Sequence, residues 1–592
     1  MKKKALPVLA VLGVIILIIA IMFLSKLVKK YTPTKERQDL SEYYNITDED
    51  QTAIIFNHDL VEEQAKQIDG HLYLDYQFVH DKLNERFYWD ANENVLLYTT
   101  ATDLVSVQAD SSTYLVSKTS NDFGRPIVKA TADSAYIDID FVKRYTDFSY
   151  STFEDPSRLV ISNEYGEITT ASAKKNTELR VLGGIKSPIL CDIAKGDKLT
   201  VIAADTKWTE VMSPYGIAGY IRTNALGDTS TETTTSSFTE ETHAHIQKNF
   251  KINMAWHQVT NQTANNDIAN VLGSTKGLNV ISPTWFYLNN NNGEIASLAS
   301  SSYVTYCHQH NTEVWALVSN LENSDVDSTY VLTHTSARQN LVNQIVSAAI
   351  QYDLDGINLD FESLNSDVGD GFIQLVRELS LKCSNNGIVL SVDNYAPYFF
   401  NAFYNRSEQA AFADYVILMG YDQHYAGSEE AGSVAALDWV KEGVANTLDE
   451  VPADQLILAM PFYTRVWSET PIDSDTQDDT DDTKKQTETD DTETTESTAQ
   501  PAYALDSYAC GMKDAEKLAE ANGAKKTWLD DCGQYYTEYV IDGVTYKIWF
   551  EDATSLEKKL QVISDNKLAG ASFWKLGFET SDIWDTVIKY IN

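Results

Sequence analysis

Polar side chains occupy every second position of one short segment that is otherwise apolar. Residues 354–362 read LDGINLDFE, which places Asn358, Asp360 and Glu362 two residues apart. Successive side chains of a β-strand point to opposite faces, so we expect these three groups on one face of a strand. Burying them is costly unless they are paired or used. Two adjacent carboxyl groups interact electrostatically, which raises the pKa of one of them and favours general acid–base chemistry near neutral pH.

The elements that must position this segment alternate between strand and helix. From residue 248 to residue 592, eight apolar runs are separated by amphipathic helical stretches. This order predicts the α/β class, with eight parallel strands closed into a (β/α)8 TIM barrel. The reactive groups of such a barrel lie at the carboxyl ends of its strands, where Glu362 would stand. The predicted strands are 252–256, 279–282, 314–318, 356–361, 388–392, 415–419, 456–460 and 570–574.

The gap between the seventh and eighth runs is longer than the others and indicates an insertion. Its first part, residues 468–502, is acidic and contains few apolar residues. Such a segment cannot bury enough surface to fold, so we expect a disordered loop there. The second part, residues 503–548, has strand and helix character and predicts a small α+β subdomain at one side of the cleft.

The N-terminus predicts a membrane anchor. Three lysines precede an apolar run from Ala5 to Leu24, and further lysines follow it. A helix of ~20 apolar residues is ~30 Å long, which is the thickness of the hydrocarbon core of a bilayer. No A-x-A cleavage pattern follows, so residues 1–30 are interpreted as an uncleaved transmembrane signal anchor. The short N-terminal tail favours a cytoplasmic N-terminus, with the remaining chain outside the cell membrane and facing the cell wall.

Three segments of different composition connect the anchor to the barrel. Residues 31–165 contain a repeat, in which 71–98 recurs as 134–161 with the order strand, short helix and hairpin. This α+β repeat resembles the N-terminal domain of copper amine oxidases, without a histidine cluster for copper, and is interpreted as a stalk or wall-contact module. Residues 166–227 have short strands and turns and resemble a bacterial SH3-type domain, an SH3-like β-barrel that often binds peptidoglycan. Residues 228–247 are rich in Thr and Ser and predict a flexible linker.

Composition excludes several partners and cofactors. The chain has 46 Lys and Arg against 86 Asp and Glu, a formal charge of −40, which repels phosphate backbones and argues against nucleic acid as a partner. The ten histidines show no spacing typical of metal ligands, and no Gly-rich phosphate loop is visible. The five cysteines form no CxxC pair, which argues against a structural zinc site, and a disulfide between Cys510 and Cys532 stays open. We predict neither a metal nor a cofactor.

The segment LDGINLDFE resembles the signature of glycoside hydrolase family 18, the chitinase-like barrels. Further segments match the family in the same order: ILMGYDQHY at 417–425, AMPFYTRVW at 459–467, and 546–579, which is similar to the spore-germination and cell-wall-lytic branch. The resemblance implies a catalytic role for Glu362, Asp360 and Tyr421. It implies a substrate-binding role for Asn358, Asp422, Met419, Trp574, Tyr463 and Trp285.

The resemblance also implies a mechanism. Family members retain the anomeric configuration without an enzyme nucleophile. Glu362 would protonate the glycosidic oxygen while the acetamido carbonyl of the substrate attacks the anomeric carbon, and Asp360 and Tyr421 would hold the acetamido group. Asn358 stands where the family motif carries an acid, so it can hydrogen-bond Asp360 but cannot accept its proton.

The implied function is that of a cell-surface glycosidase that cleaves β-linked N-acetylglucosamine (GlcNAc) polysaccharide. An outward-facing anchor and a wall-binding module would place it beside peptidoglycan, which is the favoured substrate. Two alternatives stay open: a hydrolase of chitin or chitooligosaccharides, and a non-catalytic wall-binding lectin.

Overall fold

The computed structural model describes residues 5–132, 134–472 and 503–591. Its contacts divide the chain into two compact units. The first comprises Met1–Tyr98 and Val105–Glu240, and the second comprises Thr99–Leu104 and Glu241–Asn592.

The first unit begins with the apolar helix Ala5–Tyr31. Within it, Ala10–Tyr31 has a mean hydropathy of 2.9, and no other helix in the described ranges is long and apolar enough to span a bilayer. The N-terminal apolar helix that the sequence predicted is therefore present. Its retention after export and its orientation stay predictions.

The repeat of the first unit pairs with itself. Each copy folds as a strand, a short helix and a hairpin, and the two strands, His71–Asp75 and Ala135–Asp138, pair antiparallel. Tyr73 lies opposite Asp138 and Tyr136 lies opposite Asp75, so equivalent residues of the two copies exchange positions. Asp75 and Asp138 also accept hydrogen bonds from backbone amides at the N-termini of the short helices. The repeat therefore builds a pseudo-twofold core from one sequence pattern, while its resemblance to copper amine oxidases stays a prediction.

Two sheets contain the repeat. A seven-stranded sheet and a five-stranded sheet enclose one apolar core. The helical segments of this region are Leu40–Tyr43, Tyr76–Phe78, Val79–Leu83 and Ile139–Tyr145. In sheet order, the strands are Ser149–Phe153, Arg158–Ser162, Gln51–Phe56, Asp59–Ile68, His71–Asp75, Ala135–Asp138 and Val128–Ala130, and then Phe87–Asp90, Val95–Thr99, Leu104–Gln108, Thr113–Val116 and Thr119–Asp122.

A third sheet, of seven strands, follows in the chain. It shows that the prediction of a flexible linker was wrong for the first residues of 228–247. The strand Leu226–Thr234 pairs antiparallel with Gly166–Ala173, so the first residues of the predicted linker 228–247 are structured. Threonine is favoured in strands because its β-branched side chain suits the pleated surface. The SH3-type assignment of 166–227 stays a prediction. In sheet order, the strands are Ile189–Ile193, Thr177–Arg180, Ala218–Arg222, Trp208–Met212, Lys198–Ala203, Gly166–Ala173 and Leu226–Thr234, and Thr223–Ala225 forms a 3-10 turn.

The second unit is built on a closed barrel of eight parallel strands, as the sequence predicted. The last strand pairs with both the first and the seventh strand, which closes the sheet. A ninth short strand, Ile295–Ser297, pairs antiparallel with the second. The barrel strands are β1 (Ile252–His257), β2 (Val280–Leu288), β3 (Glu313–Ser319), β4 (Gly356–Asp360), β5 (Val389–Tyr395), β6 (Tyr415–Met419), β7 (Leu456–Pro461) and β8 (Gly570–Trp574).

Helices surround the barrel and cover its outer face. Ile357, Leu359 and Phe361 pack into the core between strands and helices, each at most 1% exposed. Burying such a side chain contributes about 1.5–3 kcal/mol, which fixes the face that β4 turns outward. The helices are Ile268–Gly273, Ser301–Gln309, Ser328–Thr333, Thr335–Tyr352, Gly369–Asn385, Arg406–Phe412, Leu437–Leu448, Ala553–Asn566 and Ile583–Ile591, with 3-10 segments Gln262–Asp267, Ser366–Val368 and Phe399–Tyr404.

The described residues of the insertion between β7 and β8 form a five-stranded antiparallel sheet and the helix Met512–Ala521. Residues 468–471, which we assigned to the acidic loop, end a strand and pair with 503–506. The rest of the predicted loop, from residue 473, lies outside the described residues. In sheet order, the strands are Tyr503–Gly511, Tyr463–Pro471, Val544–Phe550, Gln534–Ile541 and Thr527–Leu529.

Candidate active site

The inner face of β4 begins with a fully buried amide. The Asn358 Oδ1 atom accepts hydrogen bonds from Trp256 Nε1 at 2.8 Å and from Ser282 Oγ at 3.2 Å. Its Nδ2 atom donates to Asp393 Oδ1 at 2.8 Å and to Ser391 Oγ at 3.2 Å. All four partners lie on other barrel strands, so Asn358 joins β1, β2 and β5 to β4. The amide is fully satisfied, which offsets the cost of burying it.

Three carboxyl groups cluster at the carboxyl end of the barrel: Asp360 on β4, Glu362 just after β4, and Asp393 on β5. The pKa of Asp360 is well above its ordinary value because the group is buried and lies near Asp393 and Glu362. Burial also raises the pKa of Asp393, and the hydrogen bond from Asn358 partly offsets this rise. Asp360 Oδ1 is buried and accepts no hydrogen bond from any described residue. A cluster of this kind holds protons near neutral pH, because removing them would leave several buried negative charges together.

Glu362 follows β4 and is held by Asn320, which follows β3, and by Tyr395, which ends β5. Its backbone N–H donates to Asn320 Oδ1 at 2.8 Å, and its carbonyl accepts from Asn320 Nδ2 at 3.0 Å. The Tyr395 hydroxyl donates to the Glu362 carboxyl group. Burial, Asp422 and Glu322 raise the pKa of Glu362, and the bond from Tyr395 opposes them. The net rise favours a protonated carboxyl group, as a general acid requires.

A second group of predicted residues lies at the ends of β6 and β7. Met419 ends β6 and is 7% exposed. Burial and the nearby carboxylates raise the pKa of Tyr421 well above its ordinary value, so its phenol is a neutral hydrogen-bond donor. Asp422 has a left-handed backbone (φ 60°) and accepts a hydrogen bond from the Tyr463 hydroxyl. The rings of Tyr421 and Tyr463 are 6.2 Å apart in an edge-to-face arrangement.

Trp574 ends β8 and belongs to the inner cluster of the barrel. Its ring is partly exposed and lies 5.8 Å from the ring of Trp256, which is 1% exposed. Trp574 is therefore the accessible member of the pair, which suits the predicted role of a floor for a sugar ring.

Trp285 does not reach the barrel mouth, so its predicted contact with substrate is wrong. The side chain is completely buried, donates from Nε1 to Asn265 Oδ1 at 2.9 Å, and packs edge-on against Tyr303. On β2, Ile281 points outward into the helical layer and Ser282 points inward to the amide of β4. Trp285 lies in the same outer apolar cluster as Ile281, so it stabilises the contact between strand and helix.

Sequence reasoning missed three residues of the site: Asp393, Tyr395 and Asn320. Asp393 and Tyr395 end the run SVDNY, whose alternation places them on the same strand face as Ser391. The same period-two argument that singled out β4 could therefore have found them. Asn320 follows β3 in the run LVSN, where no alternation marks it. The described ranges contain no group of three or more His, Cys, Asp or Glu side chains arranged to hold a metal ion.

Comparisons with known proteins agree with this architecture. The family model "Glycosyl hydrolases family 18" matches residues 217–579, more than half of the chain. "Uncharacterized glycosylase YvbX" of Bacillus subtilis (strain 168) is 22% identical over 50% of this chain and 80% of its own length. "Cortical fragment-lytic enzyme" of the same organism is 23% identical over 50% of this chain and 63% of its own length.

The fold is also found among solved structures. The C-terminal domain of a putative chitinase from Desulfitobacterium hafniense DCB-2 aligns over 58% of this chain and all of that domain, with a TM-score of 0.50 and 18% identity. At that identity the likeness concerns the barrel fold alone. The match to the family model, together with the closed barrel, shows that the chain belongs to glycosyl hydrolases family 18 and is a glycosidase.

Proposed function

We propose that this protein hydrolyses the β-linked GlcNAc glycan of peptidoglycan at the cell surface. Family 18 hydrolases act on GlcNAc-containing glycans such as chitin and peptidoglycan. The observation that carries the proposal is the cluster of buried carboxyl groups with raised pKa at the barrel mouth, with Glu362 at its outer end. Peptidoglycan is favoured because a relative is named a cortical fragment-lytic enzyme and because the N-terminal helix is apolar enough to anchor the chain.

The proposed reaction has two steps, and the substrate supplies the nucleophile. In the first step Glu362 donates its proton to the glycosidic oxygen, the bond to the anomeric carbon breaks, and the acetamido carbonyl oxygen attacks that carbon. Asp360 accepts a hydrogen bond from the acetamido N–H, and Tyr421 donates a hydrogen bond to the acetamido carbonyl oxygen, which stabilises the oxazolinium ion. In the second step the Glu362 carboxylate takes a proton from water, whose oxygen attacks the anomeric carbon and restores the acetamido group. Two inversions retain the configuration.

The proposed topology has the N-terminus in the cytoplasm and the barrel outside. Residues 31–165 and 166–227 would then bring the barrel close to the wall. Trp208 and Tyr220 support a wall contact because both rings are partly exposed and lie outside the apolar core of their sheet.

The test compares the full chain with Glu362→Gln, which preserves shape and removes the acid. Both proteins are incubated in detergent with purified sacculi and, separately, with chitin oligomers, and products are identified by mass spectrometry and by the anomer first released. We expect β-anomeric GlcNAc-containing muropeptides from the wild type only. Release by Glu362→Gln at the wild-type rate would contradict the acid role. Products from chitin alone would identify a chitinase, and binding without products would identify a lectin.

A further inference from the structure

A second concave site lies on the flank of the barrel, away from the carboxyl cluster. A cavity of about 650 Å³ opens between the helices Leu437–Leu448 and Ala553–Asn566 and the hairpin of the inserted sheet. None of the residues assigned to the barrel mouth lines it. The volume falls within the range of about 300–1,000 Å³ that small-molecule sites occupy.

The wall formed by the hairpin is held rigidly against the barrel. Gly533 has a φ of 62°, and a Cβ added to it would lie 2.8 Å from Leu437 Cβ, so the turn is in close contact with the helix. The backbone N–H of Leu437 donates to Cys532 O at 2.8 Å. The next residue, Gln534, is completely buried and donates to Glu551 Oε1 at 2.7 Å. The cavity is therefore preformed, which lowers the entropic cost of binding.

Two aromatic rings form a corner in this wall. Trp528 and Tyr535 lie 5.0 Å apart at an interplanar angle of 73°, and both are partly exposed. Trp528 Nε1 donates to Asp530 Oδ1 at 2.8 Å, which fixes the indole orientation. A fixed indole face offers apolar contact area, and the adjacent carboxylate keeps oxygen lone pairs available as acceptors.

The opposite wall is polar. Thr554, Lys558, Gln561 and Asp565 line the cavity at intervals of three or four residues, so they form one stripe along the helix Ala553–Asn566. The stripe offers a hydroxyl, an ammonium, an amide and a carboxylate, both donors and acceptors. Asp565 and Lys558 carry opposite charges, so this wall has no net charge. A neutral ligand with many hydroxyl groups and one apolar ring face fits these two walls.

We propose that this cavity is a second saccharide site, which binds a GlcNAc-containing disaccharide of the glycan that the barrel cleaves. The identity of the polymer rests on the proposed function, whereas the cavity and its walls do not. The pyranose ring stacks on Trp528, and the hydroxyl and acetamido groups bond to the polar stripe. Because the site belongs to the same rigid barrel, it keeps the protein on its polymer between cleavage events and raises the local concentration of cleavable bonds.

The test uses the full chain in detergent and N,N′-diacetylchitobiose that carries a diazirine as the probe. Photolysis followed by peptide mass mapping locates each binding site, and excess unlabelled disaccharide shows which labelling is saturable. We expect saturable labelling both at the barrel mouth and within 527–565. Trp528→Ala should weaken labelling at the flank about tenfold. Tyr508→Ala is the matched control, because Tyr508 is 52% exposed in the same sheet and does not line the cavity.

Each outcome decides the proposal. Labelling at the mouth alone, or flank labelling that Trp528→Ala leaves unchanged, would overturn the second site and leave the proposed function standing. Labelling at the flank alone would support the second site and contradict recognition of GlcNAc at the mouth. Absence of labelling at both places would overturn both. If Trp528→Ala lowers the melting temperature, Gln561→Ala on the exposed helix surface replaces it, with an expected loss of about fivefold for one hydrogen bond.

Discussion

Tyr395→Phe should move the alkaline limb of the pH–activity profile to higher pH. Glu362 must be protonated to act as an acid, so kcat/KM falls as pH rises through its pKa. The phenol of Tyr395 donates to the Glu362 carboxyl group, which stabilises the charged form and lowers that pKa. Without the hydroxyl group, burial and the neighbouring carboxylates act unopposed, and the pKa rises further.

The size of the shift follows from the strength of one charge-assisted hydrogen bond. Such a bond contributes about 1.5–3 kcal/mol, and one pKa unit corresponds to about 1.4 kcal/mol. The alkaline limb should therefore move up by about one to two pH units. Because the carboxyl groups titrate together, the limb reports an apparent pKa of the cluster.

The assay is kcat/KM on the hydrolysed glycan between pH 4 and 10, about one reading every half unit, a range chosen to bracket the shifted limb. Tyr404→Phe is the matched control. The Tyr404 hydroxyl donates to the backbone carbonyl of Phe361 at 3.3 Å. The substitution therefore removes a neighbouring hydroxyl group that does not bond to the Glu362 carboxyl group. An alkaline limb that stays in place in Tyr395→Phe, or moves to lower pH, would refute the reasoning.

Two further predictions concern support of the site and of the barrel. Asn320→Ala removes both hydrogen bonds to the Glu362 backbone. Because the acid is then misplaced, kcat should fall about 10- to 100-fold. A change in the shape of the pH–activity profile would contradict a purely positioning role for Asn320. Lys559→Met leaves Glu551 buried without its cation and should lower the free energy of unfolding by about 3–5 kcal/mol, measured by denaturant titration. The double variant Lys559→Met/Glu551→Leu should regain most of the lost free energy of unfolding. If it does not, the unpaired charge of Glu551 is not the cause of the destabilisation.

The elements that could be predicted from the sequence are the strands in which the two-residue alternation of apolar and polar side chains determines which face is buried. All eight barrel strands were located from apolar runs, and alternation on β4 placed Asn358 on the inner face, as its bonds to Trp256 and Asp393 show. The rule is not sufficient for Trp285, because the pairing of β2 with β3 is irregular between Thr284 and Phe286. Composition was the weaker guide, because it predicted a flexible linker where Leu226–Thr234 finds a partner strand.

Long-range pairing of backbone and side chain was out of reach for sequence reasoning. Asn320 is separated from Glu362 by 42 residues, and their contact depends on the register of β3 against β4. The same holds for Leu226–Thr234, whose partner strand Gly166–Ala173 lies far upstream. Local patterns carry no information about which distant segment supplies the complementary groups.

The indole of Trp256 gives the buried chain of hydrogen bonds a direction. An indole N–H can only donate, so the Asn358 amide must present its oxygen to β1 and its NH₂ group to β5. Asp393 Oδ1 therefore accepts a hydrogen bond from the amide whether the carboxyl group is charged or neutral. When Asp393 is protonated, its proton lies on Oδ2, the oxygen that does not bond to the amide. The Asn358 amide itself cannot change its charge. The groups beside this amide that can exchange protons with one another are therefore those above it, Asp393, Asp360 and Glu362.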